Sequence, residues 1–261
     1  MCLGIRLICA ASMAVAVWGQ ALKPYLSSER RALTAPELKD APDEWIARSL
    51  QWAGDILDEY QPAVAEHPVR RAALIRLDDV LHIESAPRKK LVQEFYRSRM
   101  EKAVTEIEHA KVSSGMRIWK LYNHGWLVRT PSVSFAFDIV PGTREPGFAV
   151  DQGLLRRLAA QADALFISHM HGDHASQEVA AIFVEMKKPV VAPQGLWKET
   201  EVGKSLTYPE RSTSQVHTLA LSGGRSLKYA AYPGHQGKSP INNVHLVTAP
   251  EGLTVVQTGD Q

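Results

Sequence analysis

The chain has 261 residues, 45% of them hydrophobic, which suffices for one large domain or two and argues against intrinsic disorder. Thirty Lys and Arg residues face 28 Asp and Glu, leaving a formal charge of +2. That balance provides no electrostatic footprint for nucleic acid or for an anionic membrane surface, so neither is expected as a partner.

Arg6 precedes a mostly apolar stretch over 7–18, and Gly19-Gln20-Ala21 offers small residues for cleavage. Residues 1–21 are therefore expected to be a secretory signal, and the protein to be secreted or periplasmic. The stretch is shorter than the roughly 20 residues a bilayer-spanning helix needs, so no stable membrane span is expected. An uncleaved anchor and a buried helix are the competing readings. Cys2 and Cys9 both lie in this segment, so a cleaved chain would hold no disulfide and offer no thiolate to a metal. Cys9 does not follow a small residue, which argues against a lipoprotein anchor.

Over 22–112 the pattern is helical and punctuated by proline. Asp40-Ala41-Pro42 has the form of a helix start, a cap residue with proline in the first turn. Trp45, Ile46, Leu50, Ala53, Ile56, Leu57 and Tyr60 follow at helical spacing, and Pro62 ends the run. A second helix is predicted over 69–83, with Ala73, Leu77, Val80 and Leu81 inward. Ser85 and Pro87 open a third, whose stripe is Leu91, Phe95, Val104 and Ile107. The basic residues here, among them Arg70, Arg71, Arg88, Lys89, Lys90, Arg97 and Arg99, alternate with acids. They read as a solvated face rather than an anion-facing lid.

From Met116 the period becomes that of strands. Predicted strands cover 116–122, 126–129 and 133–139, with a turn at Pro141-Gly142 and a helix over 154–162. A buried strand over 164–168 precedes a helix over 176–186. Later strands are predicted over 189–192, 215–221, 227–231, 244–248 and 253–257. Strands that first meander and then alternate with helices suit a layered α/β sandwich.

Between the buried strand and its helix lies His169-Met170-His171-Gly172-Asp173-His174. Loops at the carboxyl end of a strand are where open α/β sheets place their chemistry. Imidazole nitrogen and carboxylate oxygen both bind divalent ions such as zinc at roughly 2.0–2.2 Å. His169 and His171, two apart, point the same way in extended chain and can grip one ion. Gly172 allows a turn that lets Asp173 and His174 face a second ion nearby. A solvated His-rich loop would have few structural reasons to carry this order of residues.

The cluster resembles the H-x-H-x-D-H signature of the metallo-β-lactamase superfamily. Three further stretches fit that family in order: a strand ending in Asp138, His235 in Tyr232-Pro233-Gly234-His235, and Thr258-Gly259-Asp260 after a late strand. The resemblance covers roughly 116–261. It implies an α/β fold, the family's αββα sandwich in partial form, preceded by an N-terminal helical region. The expected domains are a signal at 1–21, a helical region at 22–112 and an incomplete metallo-β-lactamase-like domain at 113–261. It further implies that His169, His171 and His235 hold a first metal, that Asp173 and His174 hold a second, that Asp260 bridges both, and that Asp138 orients the metal loop. The family's final His, beyond Gly-Asp, is not present, and the chain is expected to lack its C-terminal part.

The implied activity is that of a metal-dependent hydrolase acting on a small-molecule ester, lactone or phosphodiester through a metal-bound hydroxide, with Asp173 handling the proton. Two divalent ions are expected as cofactors. His and carboxylate ligands suit zinc, manganese and iron alike, and zinc is the expectation. A non-catalytic metal-binding or partner-binding protein on a degenerate fold is the rival reading.

Other histidines are weighed against plainer roles. His67, His82 and His109 read as surface or packing residues, and His217 and His245 as satisfied sheet residues. His124 is open, because a His near this position recurs in the lactonase and phosphodiesterase-like branch of that superfamily. Lys238 reads as solvent-exposed, although its loop could meet an anionic substrate group.

Overall fold

The computed structural model describes residues 39–63, 65–143, 145–234 and 241–260. The expected signal segment with Cys2 and Cys9, and the loop carrying His235 and Lys238, lie outside the described residues. The chain divides into two compact units, with the boundary between Ala86 and Pro87.

The described part of the first unit is a helix pair, α1 (Asp43–Glu59) and α2 (Pro68–Leu81). They meet through Trp52, Ala53 and Ala73, with Ile56, Ala72 and Leu77 packed around them. Asp40 does not cap α1, which starts at Asp43 behind Pro42. The Asp40 carboxylate instead accepts from Ala41 N and from Ser85 Oγ at 2.6 Å, tying the two ends of the pair. Asp43 and Glu44 occupy the first turn, where negative charge meets the helix dipole favourably. α2 is capped by His67, whose Nδ1 accepts from Val69 N at 3.3 Å.

The second unit opens with α3 (Lys90–His109) and continues into two sheets. The first sheet has the order β1 (Arg117–Lys120), β2 (Trp126–Arg129), β3 (Ser134–Phe137), β4 (Ala164–Phe166), β5 (Val190–Val191). β1 to β3 form an antiparallel meander, while β3, β4 and β5 are parallel. The parallel crossovers are α4 (Gln152–Ala160) and α5 (Gln177–Glu185). Asp151 caps α4 by accepting from Leu154 N, and Ser176 caps α5 by accepting from Val179 N. A short helix, α6 (Glu201–Lys204), follows β5 and was not signalled by the periodicity, being barely one turn long.

The second sheet is antiparallel throughout, in the order β6 (His217–Ala220), β7 (Ser226–Pro233), β8 (Asn243–Thr248), β9 (Thr254–Gln257). The sheets face one another across a common core. Phe135, Phe137, Phe166 and Val191 from the first meet Leu219, Leu227, Tyr229 and Val247 from the second. β3 and β4 are buried on both faces, as strands covered by helices on one side and a sheet on the other must be. β8 alternates buried and half-buried residues, the period-two pattern of a sheet with one face in the core.

α3 is fastened to the sheet by Arg129 on β2. Its guanidinium donates to Ile107 O at 2.6 Å, Ala110 O at 2.9 Å and Gln161 Oε1 at 3.0 Å, so one half-buried cation closes the ends of α3 and α4. At one end of the sandwich Arg225 makes a two-pronged pair with Asp163 (2.8 and 3.0 Å). At the other end the amide of Asn243 donates to Ser168 O at 2.8 Å, and His245 Nε2 to Ile167 O at 3.0 Å. β4 and β8 are thus joined just where β4 gives way to the His-rich loop.

Candidate metal centre

Phe137 and Phe166 are register partners, so β3 and β4 end side by side and their following residues leave the same sheet edge. Asp138 stands first on that edge, fully buried, with φ of 47°. A non-glycine residue held there stores strain that its surroundings must offset. They do so with donors. Ser168 N and Ser168 Oγ each donate to the Asp138 carboxylate at 2.7 Å, His174 Nδ1 at 2.9 Å, and Gln257 Nε2 at 3.1 Å.

These bonds decide the histidine tautomers. Asp138 is a carboxylate, so His174 Nδ1 carries the proton and Nε2 keeps its lone pair. Ser168 Oγ, with its hydrogen spent on Asp138, is left to accept from His169 Nδ1 at 3.0 Å, which frees the Nε2 lone pair of His169 as well. Residues 171–175 curl into a turn, with His174 N and Ala175 N both donating to His171 O. The loop therefore turns over the edge after His171, at Gly172 where the sequence allows a turn. His169 and His174 are fully buried beneath it, whereas His171, Asp173 and Asp260 are partly exposed above it.

Asp260 arrives from the other sheet, after β9. The preceding Gly259 has φ of 61°, and a Cβ there would fall 2.2 Å from Asn242 Oδ1 and 3.0 Å from Ser168 Cβ. Only glycine lets the chain pass so close and still turn the next carboxylate to the histidines. Asp260 Oδ2 faces His169 Nε2 at 3.3 Å and His171 Nδ1 at 3.9 Å, and those two nitrogens are 3.0 Å apart. Asp260 Oδ1 faces His174 Nε2 at 2.8 Å.

The donor set fits divalent cations. Ligand atoms on one tetrahedral zinc stand roughly 3.3 Å apart, and the edges of the His169–His171–Asp260 triangle straddle that value. His174 Nε2 is buried and makes no hydrogen bond although a carboxylate oxygen lies 2.8 Å away. Two lone pairs so placed call for positive charge between them. Burial pulls His174 down, but the hydrogen bond and charge of Asp138, with Asp260 and Asp173, outweigh it and hold its pKa above the ordinary histidine value. His169 is held below it by burial and by the neighbouring His174.

Of the residues expected from the sequence, the structure brings together His169, His171, His174 and Asp260, with Asp173 Oδ2 3.9 Å from His174 Nε2. Asp138 accepts from His174 Nδ1 at 2.9 Å. His124, left open by the sequence, stacks on His174 with ring centres 3.9 Å apart, and groups with His174 and Asp260 as possible ligands of one ion. Its pKa is lowered by burial and by His174, against the opposing charges of Asp173 and Asp260. Ser168 and Gln257 were not singled out. Their signals were Ser168's place one residue before the cluster and Gln257's inward register on β9.

His245 Nδ1 is buried and unpartnered, and burial lowers its pKa, so it is neutral in the core. His217 stacks on Tyr229. His82 and His109 Nδ1 each approach the carbonyl four residues back on their own helices.

No protein-family model matches the sequence, and no curated protein matches it. Solved structures resemble the fold at a distance. A protein from Parabacteroides distasonis described as a metal-dependent hydrolase is 19% identical, with 58% of this chain and 64% of that one aligned and a TM-score of 0.41. The metallo-β-lactamase fold protein YhfI from Bacillus subtilis is 16% identical over 58% and 60% of the two chains, with a TM-score of 0.36. CmlA, a diiron β-hydroxylase from Streptomyces venezuelae, is 16% identical over 57% of this chain and 30% of its own, with a TM-score of 0.38. The chain spans less than two thirds of the length of each.

Proposed function

We propose that the protein is a metal-dependent hydrolase of the metallo-β-lactamase type, cleaving an ester, lactone or phosphodiester bond in a small molecule. One observation carries this reading: Asp260 turns its two oxygens to two different histidine groups, Oδ2 to His169 and His171 and Oδ1 to His174. A carboxylate shared in this way suits a pair of neighbouring cations. The first would be held by His169, His171 and Asp260, with His235 proposed to join them. The second would be held by His174, Asp173 and Asp260. Zinc is the proposed metal. When bound, such ions furnish hydroxide at neutral pH and positive charge facing a developing oxyanion.

The chain's own residues do the rest. Asp138 fixes His174 through Nδ1 and keeps its lone pair outward. Ser168 does the same for His169. Asp173, partly exposed, would orient the attacking water and take its proton. The bond from carbonyl carbon or phosphorus to the leaving oxygen then breaks, and Asp173 returns that proton to the leaving oxygen. We also propose export, on the composition of residues 1–21 alone.

The test joins metal analysis with a substrate panel. Purified protein should carry two divalent ions per chain and hydrolyse at least one generic ester, lactone or phosphodiester. His169→Ala and His171→Ala should each lower that rate at least a hundredfold. A chain that binds no metal, or a rate that survives both substitutions, would overturn the reading. One or two ions with no hydrolysis of any panel member would favour the metal-binding protein instead.

A further inference from the structure

We infer that His124, on the turn between β1 and β2, is a direct protein donor to the second cation position alongside His174, Asp260 and Asp173; this rests on the two-cation reading above. His124 stands where it could join His174, Asp260 and Asp173 as a protein donor at this position. One of its ring nitrogens, a ring nitrogen of His174 and a carboxylate oxygen of Asp260 all lie within 4.8 Å of one another. Its Nε2 is 3.6 Å from Asp173 Oδ2, against 3.9 Å for His174 Nε2 to the same oxygen. The two imidazoles also lie against one another, with ring centres 3.9 Å apart and planes within 18° of parallel.

The backbone is shaped for this placement. Asn123 takes φ of 50°, and the turn is closed by Leu121 N donating to Gly125 O and Gly125 N to Tyr122 O, both at 2.9 Å. A Cβ on Gly125 would meet Tyr122 O at 3.0 Å. Strain of that kind persists where neighbours enforce it and concentrates at functional sites. Gln257 lies against the turn: its amide donates to Asp138 at 3.1 Å and reaches His124 O at 3.5 Å. One side chain from β9 thus positions both the residue that orients His174 and the turn that presents His124. A histidine kept only for packing would not need its ring nitrogen among two carboxylates and a second imidazole. The second cation would then be gripped by the β1–β2 turn, the loop after β4 and the end of β9, joining the two sheets at their open edge.

Two measurements test this on the full chain. In the wild type, nitrogen-resolved NMR of histidine side chains during zinc addition should move the His124 Nε2 signal with the second equivalent and not the first. In His124→Ala, zinc titration should keep the first ion at wild-type affinity while the second weakens about 10- to 100-fold, and added imidazole should restore it. A silent His124 signal in a wild type that takes two ions would overturn this inference alone, leaving the hydrolase reading standing. So would a variant that binds both ions as the wild type does. A wild-type chain that takes no zinc would instead bring down the hydrolase reading on which this one rests.

Discussion

Asp138 accepts four hydrogen bonds from three residues, and its worth comes from geometry rather than contact with substrate. Asp138→Asn keeps the shape but removes the charge that holds the proton on His174 Nδ1. The expected result is a second ion bound about 10- to 100-fold more weakly, measured by chelator competition, with the first ion little changed. Gly259 is constrained from two directions, by φ of 61° and by Asn242 Oδ1 at 2.2 Å from any added Cβ. Gly259→Ala should cost about 1–3 kcal/mol of stability and be read as a lowered Tm, because both the backbone strain and the clash must be absorbed. The histidine loop itself was legible residue by residue, since its donor types follow directly from the chain. Ser168 and Gln257 were not, because a serine and a glutamine become functional only through what the fold places beside them.

At the level of elements, β8 does two things. Its inner face seals the core through Val247, and its first residues hold the end of β4. His245 is the vulnerable point. Its Nε2–H donates to Ile167 O, leaving a buried Nδ1 without a partner, and burial holds its pKa below the ordinary value. Below about pH 6.5 the unfolded chain takes up a proton there that the fold resists. The unfolded state then binds more protons, so stability falls as the pH drops through that window. Denaturant titrations between pH 7 and 5 should show a shallower acid loss for His245→Gln than for the wild type. Helix α5 offers a simpler case. Ser176→Ala removes its cap and should cost about 1 kcal/mol in the same assay. The helix and strand runs read from periodicity recur in the structure with ends shifted by a few residues, since periodicity marks a buried face and caps set the boundary. Asp40 shows how caps mislead: its sequence context fits a helix start, but its carboxylate is taken by Ala41 and Ser85.

For the second unit as a whole, the candidate metal centre sits on the open edge between two sheets, opposite the Arg225–Asp163 pair. Ions at that edge would bind the folded state and not the separated strands, so their affinity adds to stability. Removing metal with a chelator should lower Tm, and returning zinc in about hundredfold excess over Kd should restore about 2.7 kcal/mol per site. An unchanged Tm would contradict a centre that draws its ligands from both sheets. The described helix pair of the first unit has its own small core around Trp52, Ala53 and Ala73.

By itself the sequence determined the types of chemistry available and their order along the chain: three imidazoles and a carboxylate on one loop, an aspartate ending an early strand, a Gly-Asp after a late one. It also determined the element types, because burial periodicity is a local property. Only the tertiary structure decided that Asp260 divides its oxygens between two histidine groups, that His124 stacks on His174, and that Gln257 donates to Asp138 and reaches His124 O. These contacts join residues more than 30 positions apart, and their distances are set by how two sheets close over a common core, which no local pattern encodes.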